Sequence, residues 1–241
     1  MVQIILLRPG RTDYDHQARI QGVLDIPLSE AGRQEAAETA EKLQVYIPKA
    51  LYCSSCRSAE ETATIIGEKL ALKPKSVERL QNVNLGLWQG MLVEEVRLKQ
   101  PKVYKQWQER PETIEPPEGE MLAAAAERAT EAIEKLARKH RSGTIAVVIP
   151  EPLASLVQHR FQGTEWSDLW QTSNGCSRIE TMSLDKEFKP VAVTVNGSSA
   201  VKTVEKDVAG AVENRIHGPA NMKVNGLHPS MVYRGAKVRP Q

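Results

Sequence analysis

The chain has 241 residues, 41% of them hydrophobic and 26% charged, the composition of an ordinary soluble globular protein with one sizeable core and an appendage. A net charge of +2 is too small to argue for nucleic-acid binding, and three cysteines, an odd number, argue against a disulfide framework and fit a reducing compartment. No apolar run approaches the roughly 18 residues of a membrane span, and the first, Ile4 to Leu7, is too short for a signal-peptide core, so a cytoplasmic protein is expected.

In chain order, Val2–Leu7 is a continuous apolar run that ends at an Arg-Pro-Gly turn signal and reads as a buried strand feeding a functional loop. Ser29 is an N-cap candidate for a helix through Ala36, Ala37, Ala40 and Leu43 that stops before Pro48. Residues 50–54 read as a second strand, and 57–71 as a helix with Ala59, Ala63, Ile66 and Leu70 on one face. Residues 91–109 are helical but broken near Pro101, and Pro111 to Pro117 form an acidic, proline-rich loop. An alanine-rich helix from about Gly119 to His140 leads into a buried strand at Thr144–Ile149. A helix from Leu153 to Phe161 and strands near 178–184 and 189–195 complete the body.

This alternation implies an α/β fold in three layers, a mostly parallel sheet with helices on both faces. The body spans 1–196. The remaining stretch, 197–241, holds seven basic residues against three acidic ones, a net of +4 that leaves −2 for the body. Val201, Val204, Val208, Val212 and Ile216 follow helical spacing. This basic C-terminal extension is a candidate to hold a protein partner, to dock on the body or to be a disordered tail.

Ligands of such sheets bind beyond the carboxyl ends of the strands. Arg8-Pro9-Gly10 and Pro150-Glu151-Pro152 stand at two such ends.

Five stretches carry a resemblance. They are Arg8-x-Gly10-x-Thr12; Arg19-Ile20-Gln21-Gly22-x-x-Asp25-x-Pro27-Leu28-Ser29-x-x-Gly32; Ser54-Ser55 with Ala59-x-x-Thr62-Ala63; Leu85-Gly86-Leu87-Trp88-Gln89-Gly90; and Pro116-Pro117-Glu118-Gly119-Glu120. Together they resemble the histidine phosphatase (phosphoglycerate mutase-like) superfamily over roughly residues 1–185.

The resemblance implies a site of five groups: a nucleophilic histidine, two arginines and a second histidine around the phosphoryl oxygens, and a carboxylic acid for the leaving oxygen. Four of those positions are occupied here by Pro9, Ser58, Asn82 and Pro150, and only Arg8 is retained. The reading that follows is a catalytically inactive member with a binding or regulatory role, and no cofactor or metal is expected.

A phosphorylated small molecule or phosphoprotein is one expected ligand, held by Arg8, Gly10, Arg11, Arg57 and Glu151. A second reading is a phosphomonoesterase or mutase-like enzyme rebuilt around Arg8, Arg11, Arg57, Asp15 and Glu151, with Glu151, Asp15 and His16 as candidates for a substituted acid–base pair against their role as solvated loop residues. A third is an assembly subunit that uses 197–241. Cys53-Ser-Ser-Cys56 has metal-ligand spacing, but with only Cys176 to join it the pair reads as buried thiols. Trp88 is expected in the core, whereas Trp107, Trp166 and Trp170 are partner anchors if exposed. His140 is expected to interact with the helix end that carries it.

Overall fold

The computed structural model describes residues 1–163, 169 and 179–185. Strands β1 (Val2–Leu7), β2 (Ala50–Ser54), β3 (Pro74–Val77), β4 (Gly143–Val148) and β5 (Ile179–Leu184) form one sheet in the order β3-β2-β4-β1-β5. All neighbours pair in parallel except β5, which runs antiparallel to β1. The helices are α1 (Asp13–His16), α2 (Glu30–Leu43), α3 (Arg57–Leu70), α4 (Val93–Lys99), α5 (Pro101–Glu109), α6 (Leu122–His140) and α7 (Leu153–Gln162).

Strand side chains alternate between faces, and this period of two divides the core. Ile5, Leu7, Leu51, Cys53, Ala146 and Val148 pack with Leu43 of α2 and Ala59, Ala63 and Ile66 of α3. Ile4, Leu6, Tyr52, Ile145 and Val147 face the other way, against Leu122 and Ile133 of α6, Val157 of α7, and Trp88 and Trp107. The expected three-layer α/β architecture is the one observed, because central strands covered on both faces must be apolar throughout.

Local chemistry sets the helix limits. The Ser29 hydroxyl accepts from the Gly32 N–H and starts α2. Pro101 opens α5, where a missing N–H costs nothing, and thereby separates it from α4. The long helix begins at Leu122 rather than Gly119, because Glu120 first exchanges hydrogen bonds with the Asn84 backbone. Two elements lie outside the sequence expectation. β3 is a polar, half-exposed edge strand without an apolar run, and α1 is a single turn held by a Thr12 and Asp15 capping box.

Trp107 corrects an expectation. It is 1% exposed and packs edge-on against Trp88, with ring centroids 5.8 Å apart, so it is core and not a partner anchor. The strand expected at 189–195, Trp166, Trp170, Cys176 and the extension 197–241 lie outside the described residues. Among the described residues no helix is long and apolar enough to cross a membrane.

Candidate functional site

Leu7 pairs with Val148, and the Ile149 N–H donates to the Leu7 carbonyl at 2.8 Å. Two adjacent parallel strands therefore release Arg8-Pro9-Gly10 and Pro150-Glu151 at the same edge of the sheet, where the sequence places the site. Pro9 and Pro150 are both buried there. Ser58, in the first turn of α3, is joined to this edge through Thr62, whose hydroxyl donates to the Ser58 carbonyl at 2.7 Å and accepts from the Gly10 N–H at 3.0 Å. Asn82 is 2% exposed, and its Nδ2 donates to the Glu151 carbonyl at 2.8 Å and to the Gly22 carbonyl at 3.0 Å. Pro9, Ser58, Asn82 and Pro150, the four positions singled out by the resemblance, thus converge.

Arg8 shares the β1 face of Leu6 and points toward α7 and β5. Its Nε donates to Glu151 Oε1 at 2.8 Å, its Nη1 to Glu180 Oε2, and its Nη2 to Gln158 Oε1 at 3.4 Å. Burial works against the charged guanidinium, but Glu151 and Glu180 together hold its pKa above the ordinary arginine value. Glu151 is itself fixed by α7, since its carboxylate accepts from the Ser155 N–H at 3.1 Å and the Ser155 hydroxyl at 3.0 Å. Carboxylates therefore engage two of the three guanidinium nitrogens of Arg8.

Arg11 and Arg57 do not join Arg8. Arg11 is bound by Glu35 of α2 through both its backbone N–H and its guanidinium. Arg57 lies at the surface and pairs with Glu61 at 2.9 Å, one turn along α3. Each of the three arginines expected in an anion site is thus engaged by its own carboxylates. Gly10 has a packing role: a Cβ there would meet the Gly32 carbonyl oxygen at 2.1 Å, so the loop lies directly on the first turn of α2.

The other candidates also have structural partners. The Asp15 carboxylate accepts from the Thr12 N–H at 2.7 Å and from Gln21 at 2.6 Å, and burial raises its pKa despite those bonds. His16 is exposed, 3.4 Å from the Ser29 hydroxyl. Burial pushes the Cys53 thiol up to about 12, which makes it a poor nucleophile or metal ligand. Among the described residues no group of three or more His, Cys, Asp or Glu could hold a metal ion. His140 does not simply sit at its helix end; its Nε2 meets the Tyr52 hydroxyl at 2.8 Å.

Three further residues shape the crevice. Glu180 and Gln158 contact Arg8 from 172 and 150 residues away. Glu180 carried one legible signal, since it is in phase with the buried Met182 and Leu184 of β5 and so stands where an apolar residue is expected. Arg128 of α6 donates to the carbonyls of Arg79, Gln81 and Asn82, and to Glu120, and so positions the segment that carries Asn82.

Comparison with known proteins agrees with this framework. Residues 4–195 match the model of the histidine phosphatase superfamily, branch 1. Phosphoserine phosphatase 1 of Hydrogenobacter thermophilus is 32% identical over 176 residues, covering 73% of this chain and 82% of that protein. Glucosyl-3-phosphoglycerate phosphatase of Mycobacterium tuberculosis is 36% identical over 107 residues, with this chain covering 44% of its own length and 48% of the relative. Among solved structures, Bacillus stearothermophilus YhfR superimposes with a TM-score of 0.71 at 27% identity, covering 82% of this chain and 98% of that one. The match spans both strand ends of the crevice, and the chain belongs to the histidine phosphatase superfamily.

Proposed function

We propose that this protein is a superfamily member that has lost phosphohistidine chemistry and uses the retained crevice for binding or regulation. The observation that carries this reading is the pair of buried prolines, Pro9 and Pro150, at the two strand ends where the family resemblance places its histidines. A proline has no imidazole to take a phosphoryl group and no N–H to donate to one. Arg8, the one retained charged group, is engaged by Glu151 and Glu180. Losing a nucleophile alone costs on the order of 10⁴- to 10⁶-fold in rate, and the rest of a catalytic unit does not act in its place.

A second reading has an observation of its own: relatives at 32% and 36% identity are named as phosphatases. It requires a phosphomonoesterase whose water is activated by Glu151 and whose phosphate draws Arg8 away from its carboxylates. Hydrolysis of a generic phosphomonoester, phosphoserine and sugar phosphates at high protein concentration decides between them. Absence of turnover in wild type and in Arg8→Ala supports the binding reading. Turnover lost in Arg8→Ala supports the enzyme. A role of 197–241 in capturing a protein partner is tested by deleting that segment and following self-association and partner capture.

A further inference from the structure

We infer that the crevice at the β1 and β4 ends takes a small protonated primary amine, held by the Glu151 carboxylate and Asn82 Oδ1. This rests on the binding-protein reading and names its ligand class.

The hydrogen-bonding capacity of the crevice runs opposite to that of a phosphate site. Several donors are removed or engaged: Pro9 and Pro150 have none on their backbone, the Gly10 N–H is taken by Thr62, and each guanidinium nitrogen of Arg8 is turned to one of Glu151, Glu180 and Gln158. Acceptors remain. Both Nδ2 hydrogens of Asn82 are spent on the carbonyls of Gly22 and Glu151, so the carboxamide cannot be reversed. Among the described residues its Oδ1 has no hydrogen-bond partner, in a side chain only 2% exposed and anchored to the Glu151 main chain. A buried acceptor left unpaired is costly, and a donor from a ligand relieves that cost.

Glu151 supplies the charge. Among the described residues its Oε1 accepts from Arg8 and from the Ser155 hydroxyl, and its Oε2 from the Ser155 N–H alone. A carboxylate has about four lone-pair sites, so Oε2 keeps capacity for another donor. The side chain is 22% exposed and so reachable from solvent, unlike Glu180 at 6%. An ammonium group carries three donors and one positive charge, which matches one carboxylate oxygen and one amide oxygen. A phosphate would instead confront Glu151 and Glu180 with like charge.

The experiment is isothermal titration of the full chain with 1,4-diaminobutane and with N-acetyl-lysine methylamide, against 1,4-butanediol and inorganic phosphate. The expected result is saturable binding of an amine, no binding of the diol or phosphate, a shift of the Asn82 side-chain amide resonance, and affinity about tenfold or more weaker in Glu151→Gln. Preference for the lysine derivative assigns the amine to a lysine side chain, and preference for the diamine to a free metabolite. Wild-type protein that binds neither amine, or binds diamine and diol alike, overturns the inference even where Glu151→Gln fails to fold. Phosphomonoester turnover instead overturns the reading beneath it.

Discussion

Arg8 and Glu180 form an ion pair between the end of β1 and the strand antiparallel to it, with side chains 8% and 6% exposed. Removing one partner of such a pair leaves an uncompensated buried charge. Arg8→Met is therefore expected to lower stability by about 3–5 kcal/mol. Urea denaturation of Arg8→Met, Glu180→Gln and the double variant tests this: the double variant should recover part of the loss, and additive losses would show that the pair is not coupled.

Gly10→Ala should be among the more damaging small substitutions in the chain. Its methyl would strike the Gly32 carbonyl oxygen at 2.1 Å, and that contact is backbone against backbone. Overpacking costs about 1–3 kcal/mol, and here the α2 start must move as well. A melting temperature within a degree of wild type would contradict the interlock.

Trp107→Ala is expected to cost about 3–5 kcal/mol, the usual loss for a fully buried large aromatic. If Trp107 were instead a partner anchor, chemical denaturation of the isolated protein would be unchanged. Its fluorescence should also be blue-shifted in the folded state and shift red on unfolding.

The surroundings of His140 at the end of α6 make stability depend on pH. Burial, then Lys139 and Lys75, lower the His140 pKa below the ordinary histidine value. The unfolded chain then binds more protons than the native state in the window below about pH 6.5, so the contribution is full above that pH and is lost as pH falls through the depressed value. His140→Gln should flatten the loss of stability between pH 7.5 and pH 5, and histidine NMR titration should report the depressed value directly.

The order of the elements was legible because each rests on a local rule. Val2–Leu7 and residues 144–149 are apolar without interruption, as strands covered on both faces must be, and Ser29 and Pro101 mark helix starts by their own chemistry. β3 escaped because an edge strand needs no apolar run, and Pro74-Lys-Ser-Val has none. The fate of Trp107 was equally hidden, since its burial depends on Trp88, 19 positions earlier in the chain, and not on its own helix.

By itself, the sequence determined the superfamily framework, and with it the expectation that Pro9, Ser58, Asn82 and Pro150 stand at the family's reactive positions, because a motif is a local register of residue types. Only the tertiary structure decided what the charged residues do. Arg8 selects Glu151 and Glu180, Arg11 selects Glu35, and Arg57 selects Glu61. Residue type fixes a charge, but the partner of that charge is set by strand register and helix packing across up to 172 residues. That is why the carboxylate partners of these three arginines were not legible in the sequence.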